Sequence, residues 1–541
     1  MTVNPLNMPV SKSRIGRYQR LGRWLCLAWL MLMFETCIAA DSIAATKAGK
    51  VRGIHKDGIH IFKGIRCGAS TEGRRFMPPM PPKHWEGVRD AQEYGNESPQ
   101  RDRKFNTSLL SSWWNQLPAS EDCLFLNVWT PALRDGTKRP VMVWFHGGGY
   151  STLSGSMHGL DGSRLSKKGD VVVITLNHRL NVFGYLYLAG LSQDPDLADS
   201  GNIGNLDLIL ALQWVKENIT EFGGDPDNVL IFGESGGGRK VSCLMAMPAA
   251  KGLFHKAAIQ SGSDLHRQTP EAAKKIAIKF FKAVGLETNQ VNELRHLPMA
   301  KLVDGLNLLK TDTQFLPGPV VDGRNLTRHP FHADAPPTLA EVPLLVGTVK
   351  DETTALNGGS KPELFHLTWD SLPKAVKPFT QNLDETMFIQ SLRNLYPQES
   401  PSDLFFTIST WQRYRNSALI QASFKWQQFV STPGAAPAYL YELVWETPVE
   451  GGKWKAPHTL DIPFVFDNVD KSESLTGSGE EQQMIANQMS NAWIQFARTG
   501  NPGWPGYNPE YRPVMVFDVE SKWVKDYKSQ ERELLSKLPK R

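Results

Sequence analysis

Apolar residues fall in short, nearly unbroken blocks through the middle of the chain. Segments 141–145, 171–176, 229–232, 257–259, 342–346 and 438–444 are too short for buried helices and read as strands covered on both faces, as does the run after Glu121 that ends at Pro131. Elsewhere the period changes to that of a helix. Leu208, Leu212, Val215 and Ile219 repeat on one face of segment 205–222, which predicts an amphipathic helix stopped by Gly223. Ile485, Met489, Trp493 and Ala497 mark another, ending at Gly500. Strands that alternate with helices imply a largely parallel sheet with crossovers. Nearer the N-terminus, segment 49–66 alternates around Gly53 and Gly58 as a hairpin does, and the proline-rich segment 77–82 reads as irregular surface chain. Trp113 and Trp114 either rim a pocket or pin a loop. With no internal repeat and no clear linker, residues 41–541 are expected to form a single large α/β domain.

The first 40 residues differ from the rest. Arg14, Arg17, Arg20 and Arg23 precede an apolar run over 24–34, which is followed by the small residues Ala39, Ala40, Ala44 and Ala45. That is the layout of a signal peptide at 1–40, and the run is too short for a membrane anchor. A secreted or periplasmic protein is therefore expected, without stable membrane insertion once the signal is removed. The signal also changes the charge balance. The chain has a net charge of +5, but residues 1–40 hold five of its 60 Lys and Arg and one of its 55 Asp and Glu. What remains is 55 basic against 54 acidic residues, which offers no argument for nucleic acid as a partner. Of the five cysteines, Cys67, Cys123 and Cys243 lie beyond the signal, and three cannot all pair.

The chemistry centres on segment 229–238. Its apolar block runs into Gly233, Glu234, Ser235, Gly236 and Gly237, the Gly-x-Ser-x-Gly pattern of a nucleophile elbow between a strand and a helix. The helix-like run from Arg239 to Met247, closed by Pro248, supplies the required context. His146, Gly147, Gly148 and Gly149 follow a strand, as an oxyanion loop does, and the N–H of Gly236 would complete the donor set. A nucleophilic serine needs a base and an acid to orient it, and in such a fold both follow the serine in the chain. Seven histidines qualify: His255, His266, His296, His329, His332, His366 and His458. His458 has the best context, in a loop between a strand and the apolar segment 462–466. Asp351 and Glu352 both sit just past a strand as candidate acids.

Taken together these motifs resemble a type-B carboxylesterase, the branch of the α/β-hydrolase superfamily that includes the cholinesterases. The matching pieces are 121–124, 146–149, 222–226, the elbow, 350–352, His458 with 462–466, and 496–500, in the family's order. The resemblance implies an α/β-hydrolase fold and a serine carboxylic-ester hydrolase. It makes Ser235 the nucleophile, Glu352 the acid, His458 the base, and Gly148, Gly149 and Gly236 the oxyanion donors. It calls for a small-molecule ester and for neither metal nor organic cofactor. A lipase or acyltransferase on the same machinery is the near alternative, and a cholinesterase-like binding protein without catalysis the distant one. Three positions depart from the family. Gly236 replaces the usual alanine, which loosens the backbone. Ser98 stands where a disulfide partner of Cys123 is common, which leaves pairing of Cys123 with Cys67 open. Arg239 and Lys240 replace small residues, and anchoring of a loop is the favoured reading over contact with substrate.

Overall fold

The computed structural model describes residues 42–101, 108–113, 115, 117–309, 316–381 and 383–539. The expected signal at 1–40 and Trp114 lie outside these residues. The described chain is built on one sheet of 13 strands: β1 (Ser42–Thr46), β2 (Gly49–Lys56), β3 (Ile59–Arg66), β4 (Val88–Asp90), β5 (Phe125–Thr130), β6 (Arg139–Phe145), β7 (Val172–Leu176), β8 (Gly224–Glu234), β9 (Lys256–Gln260), β10 (Leu344–Val349), β11 (Ala438–Leu443), β12 (Pro513–Phe517) and β13 (Lys522–Lys525). The order across it is β1-β2-β3-β5-β7-β6-β8-β9-β10-β11-β12-β13, with β4 beside β2. From β7 to β12 every neighbouring pair is parallel, and antiparallel strands close both edges. The parallel centre is what the block pattern implies, and the whole sheet has the α/β-hydrolase arrangement that the resemblance implies.

The unbroken apolar blocks are explained by two cores, one on each face of the sheet. Along β6, Val141, Val143 and Phe145 enter one core, and Met142 and Trp144 enter the other. Along β8, Val229 and Ile231 alternate with Leu230 and Phe232 in the same way. Side chains on a strand point alternately to opposite faces, so a strand buried on both must be apolar at every position. The expected hairpin is β2 paired antiparallel with β3. Its turn residues Asp57 and Gly58 both have positive φ, the geometry of a tight two-residue loop.

The packing sharpens one expectation and decides between the two readings of another. The helix over Ile203–Asn218 buries more than its predicted face: Leu210, Ala211, Trp214 and even Asp207 are covered as well, and the exposed stripe narrows to Gln213, Lys216 and Glu217. A short turn over Ile219–Phe222 continues it to Gly223, whose φ of 71° supplies the left-handed stop. Trp113 pins a loop and does not rim a pocket. It is buried, and its Nε1 donates to Ser472 Oγ at 2.8 Å. The three described cysteines are free and buried, so Cys67 and Cys123 do not pair, and the Ser98 hydroxyl lies against the Cys123 thiol. Among the described residues, no helix is long and apolar enough to cross a membrane.

Candidate active site

Strand β8 ends at Glu234, and Ser235 turns the chain into the helix Gly236–Met245. Ser235 has φ 54° and ψ −117°, a conformation that L-residues rarely adopt and that costs on the order of 1–3 kcal/mol. The surrounding structure holds it there. Its N–H donates to the Gln260 carbonyl at 2.8 Å, and its own carbonyl accepts from Arg239 N at 3.0 Å. Close packing demands the glycine two residues on, since a Cβ on Gly237 would stand 1.9 Å from the Phe145 carbonyl oxygen. The motif's glycine spacing is thus a consequence of how tightly β6 passes the turn.

The candidate nucleophile, acid, base and oxyanion loop all come from segments that follow the C-terminal ends of parallel strands, where ligand sites gather in such sheets. The oxyanion loop follows β6, Ser235 follows β8, Glu352 follows β10, and His458 lies on the segment after β11. Glu352 Oε2 is 2.5 Å from His458 Nδ1, and Glu352 Oε1 accepts from Val349 N at 3.1 Å. Both side chains are buried. Asp351 points elsewhere: its Oδ2 accepts from Ala456 N at 3.2 Å, and burial pushes its pKa up to about 6. None of the other six histidines meets Glu352. His255 Nδ1 accepts from Val229 N, His266, His329 and His332 cluster together, and His296 and His366 are exposed.

Gly148 and Gly149 both have positive φ, at 77° and 66°. The Gly236 backbone approaches Gly149 so closely that a Cβ on it would stand 2.1 Å from the Gly149 carbonyl oxygen and 2.5 Å from its nitrogen. What Gly236 supplies is therefore room for the oxyanion loop, more than a loosened backbone. Gly236→Ala is expected to push Gly149 outward and to lower kcat by roughly 10²-fold, the cost of one misplaced oxyanion donor. Steady-state kinetics with a melting curve on the same preparation checks this, and an unchanged kcat would refute it.

The two basic residues past the elbow have separate roles. Lys240 is buried, and its Nζ donates to the His146 carbonyl at 2.8 Å, tying the elbow helix to the start of the oxyanion loop. Arg239 is half-buried and opens onto the cavities beside that loop. Burial lowers the Lys240 pKa from 10.5 to about 7. Between those values the unfolded chain holds a proton that the folded one releases, so this group makes stability rise with pH from about 7 upward. Melting of wild type and Lys240→Met should diverge in favour of wild type between pH 6 and pH 9. A pH-independent difference would refute the assignment.

Sequence reasoning missed the other acids around His458. Glu234 Oε1 is 3.1 Å from His458 Nε2 but makes no aligned hydrogen bond, and burial raises the Glu234 pKa well above the usual carboxylate range. Asp461 is buried and accepts from Tyr441 OH at 2.7 Å, and its pKa is pushed up to about 6 by burial. Nothing in the spacing of these residues distinguishes them from solvent-facing acids, although Glu234 is contiguous with the elbow. Tyr414 also packs on the imidazole, with 5.1 Å between ring centroids.

A family model described as the carboxylesterase family matches residues 40–535. A para-nitrobenzyl esterase of Bacillus subtilis is 35% identical over 512 residues, which cover 91% of this chain and 98% of that protein. A phenmedipham hydrolase of Pseudarthrobacter oxydans is 30% identical and covers 88% and 95%. Among solved structures, a carboxylesterase of Geobacillus stearothermophilus superposes with a TM-score of 0.80 at 35% identity, covering 91% of this chain and all of that one. With nearly the whole described chain matched in sequence and in fold, the protein belongs to the carboxylesterase family and is a carboxylic ester hydrolase.

Proposed function

We propose that this esterase works through a Ser235–His458–Glu352 triad and an acyl-enzyme. Ser235 Oγ attacks the ester carbonyl while His458 Nε2 takes its proton. The tetrahedral oxyanion is held by the N–H groups of Gly148, Gly149 and Gly236. His458 then protonates the departing alcohol, and water, activated by the same imidazole, hydrolyses the acyl-enzyme. Glu352 keeps the proton on Nδ1 and stabilises the imidazolium. The observation that carries this reading is the 2.5 Å contact between Glu352 and His458 Nδ1, which leaves Nε2 turned toward the elbow residue Glu234.

The substrate is a small-molecule ester, and the protein is exported, a reading supported by the basic and then apolar patterning of residues 1–40. The test of the mechanism is a fluorophosphonate probe on the purified protein. One adduct should form, and peptide mass mapping should find it on Ser235. An adduct elsewhere, or none with esterase activity intact, would overturn the triad.

A further inference from the structure

Beside the oxyanion loop lies a cavity of about 630 Å³ that reaches Gly148 and Gly149 and is lined by Arg101, Arg239, Arg267, Arg413 and His266. Among the described residues, no Asp or Glu lines it. An adjoining cavity of about 750 Å³ shares Arg239, Arg267, Arg413 and His266, and Asp264 is its one acidic wall among the described residues. Asp264 is committed to Arg267, with Nε and Nη2 both 2.5 Å from its two oxygens. Among the described residues, no carboxylate forms an ion pair with Arg101, Arg239 or Arg413. Arg101 donates to the Leu306 carbonyl, and Arg413 to Asn357 Oδ1 at 3.2 Å, both neutral groups. Three guanidiniums thus face the space beside the oxyanion glycines without a carboxylate ion pair among the described residues, and only Arg239 feels nearby buried acids, Glu234 and Asp264, through space.

Their position ties them to the reaction. Arg239 is four residues past Ser235, and Arg413 lies over the ring of Tyr414, which packs on His458. A neutral ester needs none of this charge, and clustered cations cost stability unless something balances them. A carboxylate is the ligand that the planar donor fork of arginine matches best. We propose that the preferred substrates are esters that carry a carboxylate a few bonds from the scissile carbonyl, and that Arg239 and Arg413 bind it. Arg101 adds to the field without a contact of its own. This rests on the esterase reading above and names its substrate class.

The experiment compares three esters: 4-nitrophenyl butyrate, mono-4-nitrophenyl glutarate with the carboxylate on the acyl side, and the butyrate ester of 4-hydroxybenzoate with it on the alcohol side. Each kcat/KM is measured for wild type, Arg239→Gln and Arg413→Gln, at low and high salt. Dividing each variant by wild type cancels the difference between leaving groups. For one anionic ester the variants should lose roughly tenfold or more relative to their change on the neutral ester, as expected when a charged hydrogen bond is removed. High salt should shrink the wild-type preference. Whichever anionic ester shows this tells which side carries the charge. Equal effects on all three esters would overturn the proposal while leaving the esterase reading intact. No hydrolysis of any ester by wild type would overturn the esterase reading itself.

Discussion

Ser235→Ala should reduce kcat by about 10⁶-fold, the loss seen when the nucleophilic serine of a serine protease is removed. The residual rate is what the oxyanion donors and substrate binding can do with water alone, since members of a triad act as a unit and their losses do not add. The substitution is well suited to isolate chemistry from folding. It deletes one hydroxyl from a half-buried residue and leaves the backbone partners, Gln260 carbonyl and Arg239 N–H, in place. Alanine also keeps the Cβ that the φ of 54° already accommodates. Melting should therefore be unchanged while turnover falls to that residual rate and phosphonate labelling is lost. Turnover within tenfold of wild type would show that Ser235 is not the nucleophile.

The sheet was legible in the chain because a stretch of strand buried on both faces is nearly all apolar, and each of β6, β8, β10 and β11 carries such a block. Boundaries were less so. The helix Ile203–Asn218 reads as amphipathic because burial of its other side comes from segments far away in sequence, which no local period records. At the site, the elbow and the glycine loop are local motifs and could be read directly. The His458–Glu352 contact joins residues 106 positions apart, and only chain order and family resemblance pointed to it. Loop anchoring, the favoured reading of Arg239 and Lys240, holds for Lys240, but the group it reaches and the cavity that Arg239 faces were out of reach for a related reason. Lys240 reaches a carbonyl 94 positions away, and Arg239 faces a cavity whose described walls come from eight separate stretches of chain. Adjacent basic residues on a helix look alike until tertiary packing buries one and leaves its neighbour facing a pocket.

Glu352→Gln is expected to lower kcat by about 10⁴-fold, and Asp351→Asn by less than about tenfold. The two acids are neighbours past the same strand, yet their oxygens have different partners. Glu352 Oε1 accepts from Val349 N at 3.1 Å, which orients the group so that Oε2 meets His458 Nδ1. In the glutamine variant the amide oxygen would keep the bond to Val349 N, so the NH₂ would face Nδ1. That nitrogen would then have to accept, and the imidazole proton would move to Nε2. Nε2 is the atom that must take the proton of Ser235, so the base would be blocked by its own hydrogen. Asp351 instead accepts from Ala456 N, and an asparagine oxygen can do the same. With the Asp351 pKa pushed up to about 6 by burial, losing its charge also removes an unfavourable buried anion near neutral pH. Asp351→Asn should therefore fold and turn over nearly as wild type. Purified variants compared on one activated ester, with melting curves to confirm folding, give the answer. If Asp351→Asn is the crippled variant and Glu352→Gln is not, the acid of the triad lies one residue earlier.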